Sequence, residues 1–122
     1  MGTQIDIVPT IMGRLGGEVR HQCWGRDLLN LPEGDTGFGV IKPSGSEQTT
    51  AIVTADQILV LPRDKDMGPK MWQYQLGANP HAEVVPNAPR TAELKLKLEA
   101  FLQTATKSLM DNTAGVIHGK PD

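Results

Sequence analysis

A chain of 122 residues, 39% apolar and 21% charged, has the size and composition of one globular domain, which excludes a disordered tail or a charged arm. Twelve Lys and Arg against fourteen Asp and Glu leave a formal charge of −2, too little to draw in nucleic acid or anionic lipid. A single cysteine, Cys23, excludes an intrachain disulfide framework and a cysteine-built zinc site, and no apolar run is longer than Ile58–Leu61, which excludes direct membrane insertion.

In chain order, residues 3–17 read as an opening helix. Asp6 is its expected N-cap, Pro9 is tolerated in the first turn, and Gly16-Gly17 stop it. Ile5, Val8, Ile11, Met12 and Leu15 form one apolar stripe at helical spacing. Residues 18–36 are loop-like. From Phe38 the period shortens to two, and Phe38–Ile41, Thr50–Thr54, Gln57–Leu61 and Met71–Leu76 read as strands, the middle pair joined by a tight turn at Ala55-Asp56. Residues 77–90, with Pro80, Pro86 and Pro89, read as an extended connector.

The strongest local signal follows. Thr91 is a favourable N-cap, Glu93 and Lys97 form an i,i+4 pair, and Leu94, Leu98, Phe101, Leu102, Ala105 and Leu109 repeat along one helical face, with Asn112 and Gly115 closing the helix. The expected fold is α+β: a small antiparallel sheet of three to four strands, an opening helix, and a long C-terminal amphipathic helix on one face through Leu94, Leu98, Phe101 and Ala105. Residues 116–122 are expected to fray. Aromatics amount to only 4% beside thirteen glycines and nine prolines, so the core falls to Leu, Ile, Val and Met, and a larger neighbour is expected to support it.

Candidate chemistry is sparse. His21, His81 and His118 lie far apart, without a second ligand at metal-binding spacing. His21 with Cys23 could form a thiol–imidazole pair, against the simpler reading of a packed free cysteine. The Asp64-Lys65-Asp66 run has too few oxygens for a calcium loop and reads as a solvated turn. Lys42 beside Pro43-Ser44-Gly45-Ser46 lacks the Gly-Lys-Ser/Thr of a phosphate cradle. Arg90, Lys95, Lys97 and Lys107 interleave with Glu93 and Glu99, as a solvated helix face does. Trp72 and Tyr74 could stack bases, but two aromatics on one strand face are more often core. Composition and spacing yield no catalytic, cofactor-binding or metal-binding residue.

Two strings carry a resemblance. Ile5-Asp6-Ile7-Val8-Pro9-Thr10-Ile11-Met12-Gly13-Arg14-Leu15-Gly16-Gly17, followed by Gly25-Arg26-Asp27-Leu28-Leu29, is similar to the C-terminal part of sulfatases. The likeness is greatest to the lipoteichoic-acid-synthase and phosphoglycerol-transferase branch of the alkaline-phosphatase-like superfamily. Gln57-Ile58-Leu59-Val60 and Trp72-Gln73-Tyr74-Gln75-Leu76 resemble late strands of that family, Asn79-Pro80 its turn, and Glu93 to Ala105 its final helix. Gln75 stands where the family pattern has Asp.

The resemblance implies a metal-dependent enzyme acting on phosphate or sulfate esters, whose nucleophile and Asp, Glu and His ligands lie in an upstream domain. This chain would be the C-terminal subdomain, non-catalytic alone, with the upstream catalytic domain as partner and divalent metal confined to the parent. The parent is expected to be extracytoplasmic or periplasmic and membrane-anchored. Met1-Gly2-Thr3 reads as an engineered or truncated start. An apolar patch from among Ile7, Ile11, Trp24, Leu28 and Leu29 is expected at the surface, or covered by a second copy in a homodimer. The alternatives are an independent small binding or assembly protein, such as a coat-like dimer, and a self-contained enzyme using Cys23 and His21.

Overall fold

A computed structural model describes residues 1–18, 20–42, 49–113 and 115–116. The chain is α+β. A short 3-10 turn, Gln4–Asp6, leads into α1 (Ile7–Leu15). Then follow β1 (His21–Gln22), β2 (Gly39–Ile41), β3 (Thr50–Val53), β4 (Gln57–Leu61), β5 (Lys70–Gln75), β6 (His81–Val84), α2 (Thr91–Met110) and β7 (Gly115–Val116). Two compact units result. One comprises Met1 with residues 36–100, the other residues 2–35 with 101–122, so α2 contributes its first half to one and its second half to the other.

The first unit is a five-stranded antiparallel meander in the order β2-β3-β4-β5-β6. Val40, Ile52, Leu59 and Met71 stand opposite one another across four strands and share one face. Arg90 at the start of α2 reaches the side chain of Gln57 on that same face, and Lys97 lies over the Phe38 ring at 4.3 Å. The first half of α2 therefore covers this face, and Leu94 and Leu98 are fully buried with Ile52 and Leu59. Each such side chain contributes about 1.5–3 kcal/mol on burial. The opposite face carries Val53, Ile58, Trp72 and Val84 in one row; the first three are half-buried and Val84 is exposed.

Five strands replace the three or four expected. The extra one, β6, lies inside the proline-rich connector. Pro80 and Pro86 fall just outside it, and an edge strand tolerates proline at its ends because half of its N–H groups face no partner. The Ala55-Asp56 turn is as expected, closed by the Thr54 N–H donating to the Gln57 carbonyl at 2.8 Å.

In the second unit α1 ends at Gly16 and Gly17, whose φ of 76° and 90° suit glycine far better than any L side chain. The apolar stripe of α1 does not form a core here. Of that stripe Ile5, Val8, Ile11 and Leu15 are exposed and Met12 is half-buried; Ile7 beside it is exposed as well, whereas Pro9 and Asp6 are buried. Phe101 and Ala105, expected deep beneath α2, are also only half-buried. Asn112, at φ 52°, takes the left-handed conformation that closes α2. Beyond it Gly115 and Val116 pair antiparallel with Gln22 and His21, so the expected fraying does not begin at Val116. Residues 117–122 lie outside the described residues.

Candidate functional site

The two resemblance strings meet in space, and the meeting point is the best-defined polar site among the described residues. Asp6 is 1% exposed. Its Oδ2 accepts the Thr3 N–H at 2.8 Å, and its Oδ1 accepts the Arg26 N–H at 2.8 Å, with the Arg26 Nε 3.8 Å away. One turn on, the Thr10 hydroxyl donates to the Asp6 carbonyl at 2.7 Å and accepts the Leu28 N–H at 3.0 Å. The helix thus presents a carboxylate and a hydroxyl, at i and i+4, to two alternate N–H groups of the incoming loop. Gly25 completes the fit: a Cβ there would strike the Ile5 carbonyl and the Asp6 backbone, so only glycine permits this approach. The Asp27 carboxylate closes the loop by accepting the Leu29 N–H at 3.0 Å.

Asp6 was expected to cap α1. Its side chain instead bonds the preceding Thr3 and the distant Arg26, because a buried carboxylate needs several donors and the loop supplies one at close range. Thr3 belongs to this local structure.

The remaining candidates are not assembled into a reactive centre. The Cys23 N–H donates to Nδ1 of His21 at 3.3 Å, a local contact through the cysteine backbone; His21 is exposed and Cys23 half-buried. His81 stands on the sheet edge in β6, and its Nδ1 approaches the Asn79 carbonyl at 3.4 Å. His118 and the segment Pro43-Ser44-Gly45-Ser46 lie outside the described residues; Lys42 precedes the latter on an exposed loop. Asp64 accepts the N–H of Asp66 at 3.0 Å, a turn satisfied from within. Among the described residues no three His, Cys, Asp or Glu side chains group as a metal would require.

The cations of α2 are engaged with their own neighbours, though not as expected. Glu93 pairs with Arg90 at 3.6 Å rather than with Lys97, which the Phe38 ring holds instead. Lys95 pairs with Glu99 at 3.8 Å and Lys107 with Asp111 at 2.8 Å. Arg90 also reaches Asp56 at 3.9 Å, fastening the start of the helix to the β3–β4 turn. Trp72 and Tyr74 share the sheet face opposite α2 and are half-buried. The Tyr74 hydroxyl donates to the Thr54 carbonyl. Its partial burial, and secondarily the charge of Asp56, raise its pKa above the ordinary 10.0.

Sequence reasoning found the two strings but not their junction. The signal was the i,i+4 spacing of Asp6 and Thr10 on the helix, which places two acceptors on one face. Comparison with family models, with curated proteins and with solved structures finds no match to this chain.

Proposed function

We propose that this chain is the C-terminal subdomain of an extracytoplasmic, sulfatase-like hydrolase or phosphoglycerol-type transferase acting on phosphate or sulfate esters. Its role is to cover an upstream catalytic domain in a membrane-anchored parent. What carries this reading is the Asp6–Thr10–Arg26 junction together with the residues it turns outward. The two strings that resemble the family are locked to each other, while apolar side chains of the same strings, Ile7, Ile11, Leu15 and Leu29, stay 53%, 52%, 81% and 67% exposed. Exposed aliphatic rows of this kind mark a surface meant to be covered. Trp24 and Leu28 beside them are half-buried.

The metal that such an enzyme uses does not fit here. The described residues offer no ligand cluster, so metal and nucleophile belong to the upstream domain of the proposed parent. No helix among the described residues is long and apolar enough to cross a membrane, so the reading also leaves the anchor elsewhere in the parent.

Immunoblotting of fractionated source cells with antibody against this chain tests the reading. A product far larger than 13.2 kDa in the envelope fraction is expected. A product of this chain's own mass alone would overturn it in favour of an independent assembly protein. Calorimetry of the isolated chain with Mn²⁺, Zn²⁺ and Mg²⁺ should show no stoichiometric binding, and a tight one-to-one site would equally overturn it.

A further inference from the structure

The outer edge of β6 is free of any strand partner among the described residues, and all four of its residues are exposed. The hydrogen-bonding pattern fixes which groups face outward. Val85 donates to the Met71 carbonyl at 2.9 Å, so with the register Gln73↔Glu83 and Gln75↔His81 the odd-numbered residues turn their N–H and C=O groups towards β5. Ala82 and Val84 therefore offer theirs to the outside. Pro80 contributes an outward carbonyl but no N–H, and Pro86 likewise lacks an N–H.

We propose that β6 pairs antiparallel with β6 of a second copy of this chain, about a two-fold axis at Ala82, to join two meanders into one sheet. This goes beyond the functional reading above and does not depend on it. A two-fold axis perpendicular to the sheet keeps faces matched and restricts self-pairing to a few registers. Centred on Ala82, the two Ala82 residues exchange both bonds, and each Val84 N–H meets a Pro80 carbonyl. Centred on Glu83, the number of bonds is the same, but the two Glu83 carboxylates would face each other. The Ala82 register instead sets His81 opposite Glu83 of the other copy, twice, and places the small Ala82 pair at the axis. An imidazole N–H opposite a carboxylate is favourable and two carboxylates face to face are not, so these side chains favour the Ala82 register over the Glu83 one. Pro80 and Pro86 bound the strand, and the pairing is isologous, so it closes at two copies rather than growing into a fibre.

Sedimentation equilibrium from about 10 µM to about 1 mM should show a monomer–dimer equilibrium. Ala82→Pro removes an N–H that the folded monomer does not use, on an edge where proline is tolerated, and should abolish dimerisation with an unchanged circular dichroism spectrum. His81→Glu should weaken the dimer about tenfold or more by opposing Glu83, and the double variant H81E/E83K should restore it. On a Cys23→Ser background, Ala82→Cys should form an intermolecular disulfide, since hydrogen-bonded partners stand about 5.5 Å apart at Cα. A chain that stays monomeric throughout, a dimer indifferent to Ala82→Pro, or cross-linking at Glu83→Cys in place of Ala82→Cys would overturn the proposal.

Discussion

At Asp6 a single buried carboxylate holds two backbone N–H groups, those of Thr3 and Arg26. Asp6→Ala leaves both donors without that partner and should cost about 2–4 kcal/mol, read as a lower urea midpoint at unchanged m-value. A second test at this scale concerns Tyr74. Its raised pKa means that the neutral phenol is preferred in the folded state. The associated stability is complete below the ordinary tyrosine pKa and is lost as pH rises through the higher folded value. Stability should therefore decline in the alkaline range above about pH 10, and Tyr74→Phe should remove the part of that decline due to this residue, as measured by denaturation at stepped pH.

Among the elements, α2 shows how one helix divides its work. Leu94 and Leu98 are fully buried over the sheet, whereas Leu96 is 69% exposed on the other side of the same turns. Leu98→Ala should cost about 2–5 kcal/mol through lost burial and the cavity left behind. Leu96→Ala should stay within about 0.5 kcal/mol, because most of that side chain is in solvent. Equal effects at the two positions, followed by chemical denaturation, would show the helical face to be misassigned. In β6 the lesson runs the other way. Three prolines made residues 77–90 read as a connector, yet Pro80 and Pro86 bracket a strand rather than prevent one, and Pro89 precedes α2.

For the whole molecule, the consequence is a chain whose two compact units are built from different kinds of interaction. The sheet unit has a conventional apolar core in Ile52, Leu59, Met71, Leu94 and Leu98. The other unit is fixed by hydrogen bonds at Asp6 and Thr10 while the aliphatic stripe of α1 faces outward. Replacing Ile7, Ile11 and Leu15 together by serine should markedly reduce binding of a hydrophobic dye by the isolated chain. Because these side chains are exposed, thermal stability should change little. A large loss of stability instead would mean that these side chains are needed for folding, and would remove the main support for an upstream partner.

Local order was legible in the residues themselves. The two-residue period of β2 to β5, the helical period of α2, and the glycine stop of α1 each follow from backbone geometry over a few neighbours, and the fold class followed from their order. Tertiary structure alone decided how distant residues meet. It joined Asp6 to Arg26 and Thr10 to Leu28, paired His21 with Val116, and drew a fifth strand from a proline-rich segment. It also turned the stripe of α1 outward and left Phe101 half-buried. The reason is physical: periodicity says that a face is apolar, but which surface covers it depends on packing and hydrogen-bond partners supplied by residues far away in the chain.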